Sequence, residues 1–470
     1  MLSPASIVIL IYASIAMGIF MFTDVLLIYL TVKVFGKNSK ISEVSDLETY
    51  QIPDFELPII SILLPVYREE VTLPQLIKSI SNFDYPKNKL DIRILVEPDD
   101  YPTLKTIMSL PRQFGVADGI KYNIYGLPTS IKISEEIEMQ IDHIYLNPPG
   151  ARTKANSLNQ GLARAKGQFV TIYDAEDKPD RTQLRRMAVY MLKHSDVACL
   201  QARLAYYNPD QSLITKLFSI EYILHFLLLL PSFYSMNKVI LLGGTSNFFR
   251  IEVLKSLRGW KTDNVTEDAD MGVRLSRMGY KVVPINTITW EEAPPKIYPW
   301  IRQRTRWNKG YIYTLAAHFK NPLKLIRDIG LSSTMFLFYI LFSPVAYAVS
   351  IPGWILFVAF WLNYFGILST MPLAGWIQEA YEASEIIFYS SLFTFLFSIF
   401  YTPIMAQEAL FRQGNKYSLE KIKYSYVFPF YLYLQSVPAI IAIFELFFRP
   451  KVWRKTYHGF SLEMKSQKVE

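Results

Sequence analysis

The apolar residues of this chain are gathered towards its two ends, and that distribution limits the folds open to it. Residues 7–31 read IVILIYASIAMGIFMFTDVLLIYLT, with one charge, Asp24. About 20 such residues cross a bilayer as a helix. A cleaved leader would start basic and end in small residues. This segment has no basic start and runs on into Lys33 and Lys37. It reads as a permanent anchor, with a buried core helix as the other reading. A long block of ordinary polar composition follows, up to residue 330. Residues 331–367 are apolar again, interrupted at Ser350-Ile351-Pro352-Gly353, which reads as a tight hairpin of two spans. Residues 385–405 and 424–448 make two more. Within the polar block, 213–230 ends in HFLLLL before Pro231 and carries Glu221 and His225 at helical spacing. It reads either as an interfacial helix or as a core helix.

Composition agrees with a membrane protein and removes several alternatives. Hydrophobic residues make up 51% of the chain, aromatic residues 15% and charged residues 19%, against about 25% charged in ordinary soluble domains. Mean hydropathy is +0.16. Disordered, collagen-like and coiled-coil chains are excluded, and one cysteine, Cys199, rules out a disulfide scaffold. The net charge of +8 suits nucleic acid, a membrane surface or a phosphorylated small substrate equally well. No run of Lys and Arg with interleaved aromatics favours nucleic acid.

Lys and Arg near span ends set orientation. Residues 1–6 are uncharged, while Lys33, Lys37 and Lys40 follow the first span. The N-terminus is therefore expected outside and the polar block in the cytoplasm. Four later spans return Arg449, Lys451, Arg454 and Lys455 to the cytoplasm. One loop runs against this count: 406–423, with Arg412, Lys416, Lys421 and Lys423, falls outside, and the acidic segment 378–385 falls inside. Either a span is miscounted or the chain around Gln435-Ser436-Val437-Pro438 is irregular. Tyr347, Trp354, Trp361 and Gln435 lie inside spans, where they face a polar path or serve ordinary packing.

The polar block reads as α/β. The runs 59–65, 92–96 and 168–173 are short and apolar, as strands buried on both faces of a parallel sheet are. Helix-like segments follow them, at 73–82 and 155–165, so βαβ units and a mostly parallel sheet are expected. Ligands of such sheets bind beyond the carboxyl ends of the strands. Acids stand at three such places: Glu97, Asp99 and Asp100; Asp174, Glu176 and Asp177; and Glu267 with Asp268, opening a helix over 268–278. Carboxylates there can hold a hard cation shared with substrate phosphates or supply a general base. Singly, each could equally be a helix cap. Lys154 opens a helix after Gly150-Ala151-Arg152-Thr153, and helix N-termini attract phosphate. In Gln303-Arg304-Thr305-Arg306-Trp307, helical spacing puts Gln303, Arg306 and Trp307 on one face. Arg suits phosphate oxygens and Trp offers a plate for a sugar. A basic interfacial helix touching lipid headgroups is the other reading.

Together these motifs resemble, in order along nearly the whole chain, the membrane-embedded, processive-type family 2 glycosyltransferases, the group of cellulose and hyaluronan synthases. Leu64-Pro65-Val66-Tyr67-Arg68-Glu69 looks like the first-strand motif beside the nucleotide base, which implies donor contacts from Pro65, Tyr67 and Glu69. Glu97-Pro98-Asp99-Asp100 stands in the place of the base-contacting Asp-Asp pair. Asp174-Ala175-Glu176 resembles the DxD motif that binds Mg²⁺ or Mn²⁺ on the diphosphate, with Glu176 or Asp177 as second ligand. Thr266-Glu267-Asp268 matches TED, whose Asp is the catalytic base. Gln303 to Trp307 matches QxxRW. The resemblance implies Lys154, Arg304 and Arg306 towards the donor and Gln303 and Trp307 towards the acceptor. Gly243-Gly244-Thr245-Ser246-Asn247 falls where relatives carry a small-residue loop near the acceptor, implicating Gly244 and Thr245. Trp453 to Gly459 loosely resembles the gating loop, with Lys455, Thr456 and His458.

The expected protein is a GT-A-like (Rossmann-like) catalytic domain set between transmembrane helices. Its parts are an anchor at 1–36, the cytoplasmic catalytic domain at 50–298, interfacial helices with QxxRW at 299–330, a bundle at 331–448 and a cytoplasmic tail at 449–470. The implied activity is inverting transfer from a nucleotide-diphosphate sugar to a β-linked glycan, with translocation of the product across the membrane. Transfer of one sugar to a polyprenyl phosphate or other lipid is the alternative. A transporter or receptor with a cytoplasmic regulatory domain would not need TED and QxxRW. The sequence names neither the sugar nor the nucleotide.

Overall fold

The computed structural model describes residues 2–36, 41–145, 153–368, 371–412, 423–448 and 459. Ten strands form one sheet: β1 Ile60–Val66, β2 Leu90–Val96, β3 Ile120–Tyr122, β4 Pro128–Lys132, β5 Glu138–His143, β6 Phe169–Ile172, β7 Lys178–Pro179, β8 Val197–Tyr206, β9 Asn247–Arg250 and β10 Lys281–Glu291. Their order is β3-β4-β5-β2-β1-β6-β9-β8-β10-β7. The sheet is mixed and GT-A-like. β5, β2, β1 and β6 are parallel neighbours. β9 runs antiparallel to β6 and to β8, and β8 is parallel to β10. The carboxyl ends of β1, β2, β6, β8 and β10 therefore point the same way. Buried aliphatic side chains fill both faces, with Ile62, Leu64 and Ile94 on one and Leu63, Leu95 and Val170 on the other. That two-sided burial is why these strands read as unbroken apolar runs.

The helix Ile297–His318 carries the QxxRW residues and lies against the TED helix, Glu267–Arg277. Gly310 makes the approach possible. A Cβ there would lie 2.2 Å from Thr266 Oγ1. Thr314 Oγ1 accepts from Asn264 Nδ2 at 2.8 Å, and His318 Nε2 meets Asp270 Oδ1 at 2.9 Å. The two helices are thus fixed together at three successive points.

Among the described residues, five helices are long and apolar enough to cross a membrane: Pro4–Leu30, Leu213–Ser235, Leu331–Tyr364, Glu385–Phe411 and Phe428–Phe448. The expected hairpin over 331–367 is instead one helix of 34 residues. Pro352 removes the donor for the Ala348 carbonyl, which would ordinarily end or kink the helix. Neighbouring helices supply partners: Ser436 Oγ donates to Ala348 O at 3.4 Å and Tyr12 Oη to Val349 O at 2.7 Å. Packing against neighbouring helices re-satisfies backbone that a proline frees, so Ser-Ile-Pro-Gly is no turn here. Among the described residues three such helices, where four spans were expected, therefore follow the polar block.

Gly310→Ala is expected to lower the thermal stability of the detergent-solubilised protein by about 1–3 kcal/mol, the usual cost of overpacking. Gly375, a helical position where an added Cβ would meet nothing within 4 Å, is the control: Ala there leaves the melting temperature unchanged or raises it. Equal melting shifts in the two variants would contradict the close approach.

Candidate active site

The strand ends open onto a cavity of about 310 Å³. Pro65, Tyr67 and Glu69 line it from the end of β1, Glu97 from β2, Asp174 and Glu176 from β6, and Glu291 and Glu292 from β10. Lys154, Gly244, Thr266, Glu267 and Asp268 form its wall. Gln303, Arg304, Arg306 and Trp307 close it from the QxxRW helix. Residues far apart in sequence are thus brought together around one cavity.

Thr153 caps the helix Lys154–Arg164 through its side chain, which sets Lys154 at the first turn. Lys154 Nζ donates to Gly244 O at 2.7 Å and pairs with Asp174. Burial alone would depress its ammonium, but Asp174, with Glu267 and Asp268 beyond, holds its pKa above the usual range. Gly244 sits at the centre of these charges. A Cβ there would lie 3.3 Å from Asp268 Oδ2, 3.8 Å from Lys154 Nζ and 3.9 Å from Asp174 Oδ2. Any side chain at 244 would intrude between Asp268 and the Lys154–Asp174 pair.

Asp268 accepts from the Ala269 amide through Oδ1 at 2.8 Å, leaving Oδ2 towards Gly244. Burial raises its pKa. The neighbouring Glu267 is pushed up to about 7, first by burial and then by the charge of Asp268. The sequence left open whether Glu176 or Asp177 faces the cavity. Glu176 lines it. Asp177 is fully buried and turned into the loop, where its Oδ2 accepts from the Asp174 amide at 2.7 Å and from Thr245 Oγ1. Burial, with Glu291 next, raises the Asp177 pKa. Thr245 therefore holds the DxD loop rather than lining the cavity. In the Glu97-Pro98-Asp99-Asp100 segment, Glu97 lines the cavity and Asp99 is exposed. Asp100 caps the helix Tyr101–Gln113 and accepts from the Arg68 amide at 2.6 Å.

Among the cavity residues that sequence reasoning misses are Glu291, Glu221 and His225. Glu291, at the end of β10, faces Asp174 and Glu176; burial and then those acids raise its pKa. The strand-end rule that found the other acids would have found it too. Glu221 and His225 were noticed only as interruptions of an apolar run. Lys455, Thr456 and His458 lie outside the described residues. The described Gly459 donates its amide to Glu292 Oε2 at 2.5 Å.

Asp174 and Glu176 offer oxygen donors of the kind a hard divalent cation takes when substrate phosphates complete its shell. Among the described residues no group of three or more His, Cys, Asp or Glu side chains could hold a metal ion.

Several known proteins are similar to parts of this chain. Residues 169–377 match the family described as glycosyl transferase family group 2. A probable glycosyltransferase of Bacillus subtilis, YdaM, is 23% identical over 420 residues, covering 88% of this chain and 87% of that protein. Glucomannan 4-beta-mannosyltransferase 2 of Arabidopsis thaliana is 26% identical over 62% of this chain, which spans 51% of that protein's length. Among solved structures, a mannosyltransferase of Pyrobaculum calidifontis in complex with GDP-Man and Mn²⁺ is 16% identical. It covers 76% of this chain and 97% of its own, with a TM-score of 0.46.

The raised pKa of Glu267 gives a pH test. The folded protein holds the Glu267 proton up to about pH 7, whereas the unfolded chain releases it near the ordinary value of about 4.3. Stability contributed by the neutral form is full below about pH 4.3 and is lost as pH rises through about 7. Glu267→Gln removes this loss. Its melting temperature should gain on the unsubstituted protein between those pH values and then run parallel. A constant difference across the range would contradict the buried, proton-holding carboxyl.

Proposed function

We propose that this chain is an inverting, metal-dependent family 2 glycosyltransferase that extends a β-linked glycan from a nucleotide-diphosphate sugar. The observation that carries this reading is the single cavity holding Asp174, Glu176, Lys154, Asp268, Arg306 and Trp307, in a chain whose residues 169–377 match family group 2. The nucleoside lies at the ends of β1 and β2, against Tyr67, Glu69 and Glu97. Asp174 and Glu176 would hold Mg²⁺ or Mn²⁺, which supplies charge for the leaving diphosphate. Lys154 and Arg306 add fixed positive charge on the same side. The acceptor sugar rests on Trp307, and Gln303, whose buried Oε1 has no hydrogen-bond partner in the structure, is placed to accept from an acceptor hydroxyl.

Asp268 takes the proton of the attacking acceptor hydroxyl. The acceptor oxygen bonds to the anomeric carbon as the bond from that carbon to the diphosphate oxygen breaks, and the electron pair leaves with the nucleotide. One displacement inverts the centre, so an α-linked donor gives a β-linked product. Lining by Leu204, Phe226, Leu241 and Leu242 beside the acceptor side favours one second reading, an acceptor carried on a lipid.

Three helices make the membrane crossings in this reading: Pro4–Leu30, Leu331–Tyr364 and Glu385–Phe411. Leu213–Ser235 packs under the sheet, with Phe226, Leu230 and Phe233 in its core. Phe428–Phe448 keeps both ends against the QxxRW helix. Trp300 Nε1 donates to Tyr431 Oη at 3.1 Å, and Lys309 Nζ to Glu445 Oε2 at 3.3 Å. A helix tied this way lies in the interface, with Phe444, Phe447 and Phe448 exposed towards lipid. This arrangement removes the loop conflict. Arg412 and Lys423, which bound that loop, fall on the cytoplasmic side with the catalytic domain; Lys416 and Lys421 lie outside the described residues. Glu379 falls outside beside the N-terminus, where its Oε2 accepts from Ser3 N at 2.9 Å and Ser6 Oγ at 2.7 Å.

Two measurements check these readings. Asp268→Asn should keep nucleotide binding while nucleotide release drops by about 10²–10⁴-fold, the usual loss with a general base; near-normal turnover would refute the assignment. In a chain with Cys199 replaced by Ser, single cysteines at Ser384 and Tyr426 should label from opposite faces of sealed vesicles, 384 from outside. Labelling from the same face would contradict the three-span arrangement.

A further inference from the structure

Glu221 belongs to the helix Leu213–Leu224, which continues through a π-turn at His225–Leu229. Such turns recur at functional sites. Its carboxylate grips Arg304 with both oxygens: Arg304 Nη1 donates to Oε1 at 2.7 Å and Nη2 to Oε2. Tyr431 Oη gives its one proton to Glu221 Oε2 at 2.7 Å. Both of its lone pairs are taken, by Trp300 Nε1 at 3.1 Å and Arg304 Nη2 at 3.2 Å. The guanidinium lies 4.2 Å from the centroid of the Phe218 ring and 4.7 Å from that of Trp307. The Arg304 side chain is 9% exposed.

We propose that Arg304 is a positioning residue, not a donor contact: locked by Glu221 and Tyr431, it forms the plate behind Trp307 and so fixes where the acceptor sugar rests. The assignment rests on the glycosyltransferase reading above and goes beyond the resemblance, which put Arg304 with the donor. Glu221 accepts from both Nη groups and Tyr431 from Nη2 as well, so a diphosphate reaching for that fork would have to displace a two-pronged buried pair. Residues two apart on a helix point some 200° apart, and it is Arg306 that faces Glu267 and Asp268. A planar fork between a carboxylate and an aromatic face is a geometry Lys cannot reproduce. The clamp joins three separate parts of the chain: the π-turn helix, the QxxRW helix and the interfacial helix that begins at Phe428. Acceptor placement is thereby tied to the seating of that last helix on the catalytic domain.

The test uses the full chain in membranes and follows nucleotide release in two modes: transfer to an added glycan or lipid acceptor, and hydrolysis of the donor by water. Hydrolysis needs the donor site but no acceptor plate. Glu221→Gln and Arg304→Lys should raise the acceptor KM or lower transfer by about tenfold to a hundredfold, the scale of a small misplacement, while donor KM and hydrolysis stay within about twofold. Tyr431→Phe keeps the ring and loses the hydroxyl with its three hydrogen bonds, but leaves the two-pronged Glu221–Arg304 pair, and should shift the acceptor KM in the same direction by less. Arg306→Lys should instead raise the donor KM. A rise in donor KM for Arg304→Lys matching that of Arg306→Lys, or equal loss of transfer and hydrolysis in the folded Tyr431→Phe protein, overturns the assignment. An unsubstituted protein that releases no nucleotide from any donor overturns the function reading itself, which separates the two failures.

Discussion

The seating of the QxxRW helix on the TED turn is the contact on which the site depends. Gly310 lets the helix backbone press onto Thr266, and the bonds from Asn264 and to Asp270 continue the contact along the next two turns. Asp270 is itself fully buried, with Lys261 at 3.2 Å and Arg274 at 3.8 Å neutralising it. The result is that the proposed base, Asp268, and the proposed acceptor plate, Trp307, belong to one rigid piece. A helix lying at the membrane surface would otherwise move independently of the sheet. Orientation of the reacting groups is worth several kcal/mol in such reactions, and here it is set by packing between two helices rather than by loops.

The charge arrangement follows from the same geometry. Strands that end together bring their acids together, so Asp174, Glu176 and Glu291 face one space with Glu267 and Asp268 across from them. Lys154 and Arg306 do not balance that many carboxylates. The cavity answers partly by holding protons, as the raised pKa values of Glu267 and Glu291 record. A cation with a diphosphate suits it better than an anion alone, because the cation meets the surplus carboxylates and the diphosphate meets Lys154 and Arg306. Asp177 shows how sharply neighbouring acids can differ: it is locked by Thr245 and the Asp174 amide and shapes the loop on which Asp174 stands.

Much of this was legible in the sequence, for physical reasons. β1, β2 and β6 are buried on both faces, so they appear as apolar runs that stop at the polar residues of the cavity. The motif acids and the QxxRW residues could then be placed without coordinates. What stayed hidden depended on partners distant in sequence. The antiparallel insertion of β9 between β6 and β8 leaves no local mark. The break expected at Pro352 is bridged by Ser436 and Tyr12, which no local pattern announces. Phe428–Phe448 has the length and hydropathy of a span, and only its ties to Trp300 and Lys309 reveal where its ends lie. Glu221 looked like a stray charge because its partner, Arg304, is 83 residues away.

The account stands or falls on sugar transfer. Membrane vesicles carrying this protein would be given labelled UDP-glucose, UDP-N-acetylglucosamine, UDP-galactose and GDP-mannose in turn, with Mg²⁺ or Mn²⁺. The product would then be partitioned between water and organic solvent. Label from one donor in a large water-soluble or insoluble glycan is the predicted result. Label confined to the organic phase would replace the polymer with a lipid-borne product, and no transfer from any donor would contradict the glycosyltransferase reading.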